Sequence, residues 1–248
     1  DDRSTGYERG TSISQAWEQA TTDAELEVSA YVVEHLGELS GARNEGPERA
    51  KKVQEFCRRW AQRAFRRPLD EEQKQFFVDR HFKNAPLLDS AVRKVVLLTL
   101  LSPRFLYQDI EVNRLDAYDV ASRLSLGLWD SIPDDKLWQA AASGKLLKPD
   151  EVRRQAERMA ADLRTTAKLR EFFEQYLRID HFTDLAKDAR RFPGFDEEIV
   201  ADLHTSLELF LEDVLGSSAS DYRQLLLADW LYLNGRLAKF YGKDLPAD

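Results

Sequence analysis

Residues suited to metal binding are few in this chain and widely separated. The four histidines are His35, His81, His181 and His204, and no two of them are three or four residues apart, as ligands on one helix face would be. His204 and Glu208 are four apart, so a nitrogen and a carboxylate share one helix face. Di-metal helical bundles need Glu-x-x-His twice, and the sequence lacks it. We expect no metal site; His204 and Glu208 are weak candidates whose alternative role is a surface hydrogen bond.

Acidic pairs and nucleophiles give equally little indication of catalysis. Glycosidases need two carboxylates that face each other across a sugar, whereas the acidic pairs here are neighbours in sequence, mostly where helices are expected to begin. We interpret Asp134 and Asp196 as helix caps. The sequence has neither a Gly-x-Ser-x-Gly elbow nor a phosphate-binding glycine loop. Cys57, the single cysteine, lies on a predicted apolar helix face, which favours an unreactive thiol. Whether the chain is an enzyme stays open.

Arginines form the densest cationic cluster, which also includes two lysines. One interpretation is that the cluster binds a polyanion, a phosphate or a haem propionate, because the N–H groups of a guanidinium fit the spacing of the oxygens in such anions. The alternative is structural: cations late in a helix complement its negative end, and acids such as Glu71 and Glu72 neutralise them. The formal charge of −8 and pI near 5.2 argue against a nucleic-acid partner. The cluster comprises Lys51, Lys52, Arg58, Arg59, Arg63, Arg66 and Arg67.

Five further polar residues interrupt apolar surroundings. Arg104 and Arg123 either anchor a carboxylate ligand or bind helix-end carbonyls or a structural carboxylate. Asn234 is predicted to cap a helix. Asp229 and Arg236 are predicted to form a buried pair that ties two helices together, with a ligand pocket as the alternative.

Helices are predicted to position all of these residues. Apolar side chains recur at helical spacing, sustained alternation is absent, and only 11 glycines and 8 prolines occur in 248 residues. The most apolar helix is expected over residues 90–101, ended by Ser102 and Pro103. The longest apolar run, residues 95–101, is too short to cross a bilayer. We predict an all-α fold of about ten helices in two packed helical subdomains.

Helix ends are predicted from capping residues, prolines and glycines. Residues predicted to begin helices are Thr22 (with Glu25 as a capping box), Asp70, Asp116, Ser131, Pro149, Thr166, Asp196 and Asn234. Residues predicted to end them are Gly37 or Gly41, Pro68 and Gly144.

Five short peptides, in a fixed order, carry a family resemblance. They are residues 64–68 (Ala-Phe-Arg-Arg-Pro), 102–107 (Ser-Pro-Arg-Phe-Leu-Tyr), 121–129 (Ala-Ser-Arg-Leu-Ser-Leu-Gly-Leu-Trp), 132–135 (Ile-Pro-Asp-Asp) and 233–242 (Leu-Asn-Gly-Arg-Leu-Ala-Lys-Phe-Tyr-Gly). Together they resemble two consecutive cytochrome-associated helical domains of unknown function in large secreted planctomycete-type proteins. On this resemblance we expect an N-terminal helical domain at 1–112 and a C-terminal one at 113–248. The best candidate seam is residues 109–115, a short stretch without a glycine or serine run, so we expect the two halves to pack together. The first residues read as a cut into a longer protein.

The resemblance implies a setting rather than a reaction. It implies an extracytoplasmic location, periplasmic or at the cell surface, beside cytochrome c-like modules and carbohydrate-binding modules. This chain has no Cys-x-x-Cys-His motif, so we expect no cofactor in it and c-type haem in neighbouring modules. Ser206 stands where relatives are expected to carry a glutamate, which weakens a carboxylate site on that helix.

Three functional hypotheses follow. The leading one is a helical scaffold or interaction region whose partners are neighbouring, haem-bearing domains of the same polypeptide, with no nucleic-acid partner and no membrane span. The second is part of a haem- or metal-assisted enzyme acting on polysaccharide or another extracellular substrate, with a cleft between the two halves. The third is polyanion binding by the face over residues 51–67.

Overall fold

The computed structural model describes residues 14–42, 46, 48–83, 85, 87–107, 115–179, 185–217 and 221–242. These residues form helices and no strand, so the all-α prediction is confirmed. The predictions for His181 and for a seam over 109–114 lie outside the described residues. No helix among those described is both long and apolar enough to cross a membrane.

Helices make up most of the described residues. They are α1 (Gln15–Glu34), α2 (Leu36–Leu39), α3 (Arg49–Ala64), α4 (Glu71–Lys74), a π-helical turn (Gln75–Asp79), α5 (Arg80–Lys83), α6 (Leu88–Leu100), α7 (Pro103–Leu106), α8 (Ala117–Trp129), α9 (Asp135–Ala142), a 3-10 turn (Lys145–Leu147), α10 (Pro149–Ala160), α11 (Leu163–Tyr176), α12 (Glu197–Gly216), α13 (Gln224–Leu227) and α14 (Gly235–Phe240).

The chain forms two compact units. The N-terminal unit comprises Asp1–Gly127 and Ser131–Gln155, and the C-terminal unit comprises Leu128–Asp130 and Ala156–Asp248. The predicted domains at 1–112 and 113–248 rest on family motifs, and a family segment need not coincide with a compact unit. That division stays a prediction.

Helix α6 is the centre of the N-terminal unit, where it packs against both α1 and α3. Its positions 91, 92, 95, 96, 99 and 100 are buried, which is the spacing of one wide helix face. Helix α3 contributes Val53, Cys57 and Ala61 to the same core, and all three are fully buried. Each buried valine or leucine stabilises the fold by about 1.5–3 kcal/mol. The prediction that Cys57 lies on an apolar helix face is therefore confirmed, and the most apolar helix, expected over residues 90–101, is observed at Leu88–Leu100.

Most of the predicted helix ends are confirmed because they depend on local geometry. Asp70 and Gln73 form a reciprocal capping box at α4. Asp196 caps α12 by accepting from the Ile199 N–H at 3.0 Å. Gly41 and Gly144 follow helices with φ of 68° and 67°, a left-handed conformation that suits glycine.

Three predicted starts are wrong, and in each a residue elsewhere caps the helix. Helix α1 begins at Gln15, capped by the Ser14 hydroxyl rather than by Thr22. Asp134 caps α9 in place of Ser131, which confirms the separate interpretation of Asp134 as a cap. Asp162, four residues before the predicted Thr166, caps α11. In each case the cap is the residue whose side-chain oxygen lies close enough to accept a hydrogen bond from an N–H group in the first turn of the helix.

The C-terminal unit is organised around α12, which packs against α11, α13 and α14. Ile199, Leu211 and Val214 form its buried face, and Leu237 of α14 is buried as well. Residues 222–233 are rich in apolar side chains but are helical only in the single turn α13, and the chain is irregular from 228 to 234. Many of its side chains consequently remain exposed.

Candidate functional site

The first signature peptide, residues 64–68, ends α3 with an unusual residue. The Arg66 N–H donates to the Arg63 carbonyl and the Arg67 N–H to the Gln62 carbonyl, both at 3.1 Å. This is the paired hydrogen bonding of a Schellman motif, in which glycine normally takes the left-handed position. Here that position holds Arg66, with φ of 59°. An arginine in this conformation is disfavoured by the backbone, so its side chain must compensate.

The Arg66 side chain does so by holding the second signature peptide, residues 102–107. Arg66 is only 7% exposed. Its Nη2 donates to the carbonyls of Arg104 at 2.9 Å and Tyr107 at 3.2 Å, and its Nη1 to that of Phe105 at 3.3 Å. These carbonyls belong to α7 and the residue that ends it, where the helix offers no N–H partner of its own. Arg66 is therefore a structural cap supplied from a distant helix.

Arg67 points to the start of α8 instead. Its guanidinium forms ion pairs with Asp119 and, at 3.4 Å, with Asp116. Both carboxylates also cap α8: Asp116 accepts from the Asp119 N–H at 2.8 Å, and Asp119 accepts from the Asp116 N–H at 2.9 Å. Two adjacent arginines thus fix two different helix ends within the N-terminal unit.

Other arginines of the cluster also have acidic partners, although not the predicted ones. Arg58 donates through Nε and Nη2 to the buried carboxylate of Asp79. Arg63 pairs with Asp135 at 3.2 Å. Glu71, which was expected to neutralise the cluster, pairs with Lys74 instead. The polyanion-binding hypothesis for residues 51–67 stays a prediction.

A narrow pocket in the N-terminal unit brings together four of the predicted candidates. Arg66, Arg67, Arg104 and Arg123 all line it, and Asp119 is its single acidic residue. Its interior volume is about 20 Å³, room for one or two water-sized atoms. Three other lining residues that sequence reasoning missed are Phe65, Gln73 and Ser122.

Two arginines that line the pocket, one on α7 and one in the middle of α8, are unpaired among the described residues. Arg104 and Arg123 are exposed, and neither side chain makes a hydrogen bond or an ion pair with any described residue. The structural role considered for them, binding helix-end carbonyls, is instead performed by Arg66. The guanidinium groups of Arg104 and Arg123 are therefore free to donate hydrogen bonds to a ligand.

The predicted buried pair of Asp229 and Arg236 is wrong. Arg236 is exposed and pairs with two acids of α12, donating through Nε to Asp202 at 2.5 Å and also reaching Glu198. Its hydrogen bonds lower the pKa of the Asp202 carboxyl. Asp229 is exposed as well. Arg236 does not pair with Asp229 because it lies beside the acidic first turns of α12.

The prediction that Asn234 caps a helix is confirmed, since its side chain accepts from the Leu237 N–H at 2.9 Å.

His204 and Glu208 lie on α12 as predicted but do not converge with other donors. They form neither a hydrogen bond nor an ion pair with each other. Across the part of the chain that the structure describes, no group of three or more His, Cys, Asp or Glu side chains is arranged to hold a metal ion. The hypothesis of a metal- or haem-assisted enzyme stays a prediction.

Two buried titratable groups complete the picture. Cys57 is fully buried in the core, and burial raises the pKa of its thiol to about 12. Glu25, expected to complete a capping box with Thr22, lies in the middle of α1 and is 4% exposed. Neither of its carboxylate oxygens has a hydrogen-bond partner among the residues that the structure describes, and desolvation raises the pKa of this carboxyl group.

Two protein families match the chain, each over a different segment. Residues 115–242, just over half of the chain, match the family described as PSD4, a protein of unknown function (DUF1592). The chain belongs to this family. Residues 52–109 match a second family, PSD5, also a protein of unknown function (DUF1595). No curated protein and no solved structure matches the chain.

The arginine contacts can now be placed on these family segments. Arg66 and the carbonyls that it binds all lie in the PSD5 segment. Arg67 lies in the PSD5 segment, whereas its partners Asp116 and Asp119 lie at the start of the PSD4 segment. The first helix of the PSD4 segment is therefore tied to the PSD5 segment, and the compact N-terminal unit extends beyond the family boundary.

Proposed function

We propose that this chain is a helical scaffold that docks neighbouring modules of a larger exported, cytochrome-associated protein. The interactions of its signature arginines favour this role. Arg66 and Arg67 bind helix ends rather than converging on a reactive centre. Residues that define the family motifs thus serve to hold helices in position.

An exposed apolar surface on the C-terminal unit carries the proposal. We call residues 222–232 the apolar segment. Leu226 is 84% exposed and Leu227 is 72% exposed, and Tyr222, Trp230 and Leu231 are exposed as well. These exposed apolar side chains all lie within one short stretch of the chain. Contiguous exposed apolar patches mark interaction sites, and aromatic residues are enriched at interfaces.

The apolar segment is held in place although most of its apolar side chains are exposed. The Ser206 hydroxyl of α12 donates to the Tyr232 carbonyl at 2.6 Å. The Trp230 ring packs edge-to-face on Phe210 of the same helix, with centroids 4.8 Å apart. A surface that is ordered before binding loses less conformational entropy when a partner covers it. The segment is thus suited to docking rather than to filling a core.

The occupant that we propose is another module of the same polypeptide. Segments of two families occur one after the other on this chain. This arrangement supports a partner that belongs to the same polypeptide. By its resemblance, that protein is exported to the periplasm or the cell surface and carries c-type haem in a neighbouring module. The scaffold itself would bind no haem.

Hydrogen exchange in the intact polypeptide tests this role. We expect slower amide exchange over residues 222–232 in the intact protein than in this chain alone, because a docked module excludes solvent. Leu226→Ser combined with Leu227→Ser should abolish the difference, since about 2 kcal/mol is lost for each leucine no longer buried. Leu87→Ser, at a position 67% exposed in the N-terminal unit, is the matched control. Equal exchange in the intact protein and the isolated chain would overturn the proposal.

A further inference from the structure

The narrow pocket beside α7 and α8 is a hydrogen-bond donor site without an acceptor to match. Arg104 and Arg123 line it, and neither guanidinium is paired within the described residues. Its one carboxylate, Asp119, is already engaged by Arg67 and by the Asp116 N–H. Positive charge consequently remains uncompensated there, although the chain as a whole carries a formal charge of −8. Like charges held together in this way favour the binding of an anion.

The neutral residues of the pocket add further donors. The Gln73 Oε1 atom accepts from the Asp70 N–H at 3.2 Å, so the other end of that side chain, the amide nitrogen, remains available to donate. Ser122 is 9% exposed and brings a hydroxyl to the lining. Residues that carry two unpaired guanidinium groups, an amide and a hydroxyl thus all line one small space.

The number of donors decides between classes of anion. One arginine fork binds both oxygens of a carboxylate, which has about four acceptor sites in all. Two arginine side chains together with an amide and a hydroxyl offer more N–H and O–H donors than a single carboxylate can accept. Phosphate and sulfate present oxygens in several directions and carry up to two negative charges, which match two unpaired arginines.

The geometry points to a binding site for a tetrahedral oxyanion, a phosphate or sulfate group, with Arg104 and Arg123 as its principal ligands. The interior of about 20 Å³ admits one or two oxygens of such a group, and the rest of the group stays at the open mouth of the pocket. Arg66 and Arg67 are positioning residues: Arg66 fixes the backbone of Arg104, and Arg67 holds α8 through Asp119. The inference is independent of the docking role of the C-terminal unit.

The probes are inorganic phosphate and inorganic sulfate, with sodium chloride of equal ionic strength as the reference. Binding is measured by calorimetry and by the shift of the thermal midpoint. We expect both oxyanions to raise the midpoint above that in chloride, because a ligand that binds only the folded state stabilises it. Acetate at the same ionic strength should have a smaller effect. Stronger stabilisation by acetate than by phosphate would overturn the tetrahedral assignment.

Variants separate the site from general charge effects. Arg104→Gln and Arg123→Gln should each weaken phosphate binding about tenfold or more, the effect of losing a hydrogen bond to a charged group. Both positions are exposed, and the Arg104 carbonyl that Arg66 binds is retained, so the fold is preserved. Arg93→Gln, at an exposed position of α6 outside the pocket, is the matched control and should bind phosphate like the unaltered chain. Absence of specific binding, or equal loss in the control, would refute the site.

Discussion

Arg66 donates a hydrogen bond to the backbone carbonyl of Arg104 at 2.9 Å, although 38 residues separate them in the chain. The contact joins the two signature peptides of the PSD5 segment. It also explains why a non-glycine residue occupies the left-handed position after α3, since glycine would have no side chain to reach α7. The motif Ala-Phe-Arg-Arg-Pro is thus a structural joint, in which each arginine holds a different helix end.

Substitutions of Arg66 should separate the free-energy cost of its left-handed backbone conformation from the stabilisation that its side-chain hydrogen bonds provide. Arg66→Met keeps the apolar length of the side chain and removes the bonds to the carbonyls of α7, so we expect the free energy of unfolding to fall by about 2–3 kcal/mol. Urea unfolding followed by circular dichroism measures this. Arg66→Gly removes the same bonds but suits φ of 59°, so it should be about 1 kcal/mol more stable than Arg66→Ala. Equal stability of the glycine and alanine variants would contradict the strain argument.

Cys57 should be unreactive in the folded protein. Its thiol is fully buried and its pKa is raised to about 12, so almost no thiolate is present at neutral pH. A thiol reagent such as Ellman's reagent should therefore label it only when α3 is exposed by unfolding, while in urea the labelling is complete. Rapid labelling in native buffer would show that the core around α3 opens.

Glu25→Gln should stabilise the chain at neutral pH and much less near pH 4. Burial raises the folded-state pKa of Glu25 above its ordinary value of 4.5, so the folded state holds a proton that the unfolded state releases. The wild-type chain therefore loses stability as pH rises from 4.5 through the folded-state pKa, whereas the amide does not. Glu27→Gln, at an exposed position of α1, is the matched loss of charge. Thermal midpoints measured between pH 4 and pH 7 test this; a difference that does not grow with pH would contradict it.

Ser206→Ala should loosen the apolar segment without disturbing α12. The lost hydrogen bond to the Tyr232 carbonyl contributes about 1 kcal/mol, so limited proteolysis between α13 and α14 should be several times faster. Thr205→Ala is the control, because the Thr205 hydroxyl donates only within α12, to the Ala201 carbonyl. If both variants are cleaved at the same rate, the segment is held by its aromatic contacts alone.

Local signals in the sequence were sufficient for much of the fold. Asp70, Asp196 and Asn234 were identified as caps because a cap needs only an oxygen acceptor and N–H groups two or three residues onward. The same rule failed at Thr22, because Ser14 starts the helix earlier and Glu25 is buried on its inner face. A capping pattern cannot reveal that its residues lie inside a longer helix.

The candidate site depended on contacts between distant residues. Arg66 and Arg104 were both selected from sequence, but their connection through a backbone carbonyl leaves no mark in residue type. Arg236 was assigned to Asp229 because both interrupt an apolar stretch, whereas folding places it beside Asp202. The acidic first turn of α8 was the available signal for Asp119 as a partner of Arg67.

The most direct test of the proposed scaffold role is the absorption spectrum and metal content of the intact polypeptide that carries this chain, compared with those of the chain alone. The account predicts the absorption bands of c-type haem in the intact protein and neither haem nor stoichiometric metal in this chain. Stoichiometric haem or metal in the isolated chain would contradict it, and His204 with Glu208 would then be the first ligands to replace.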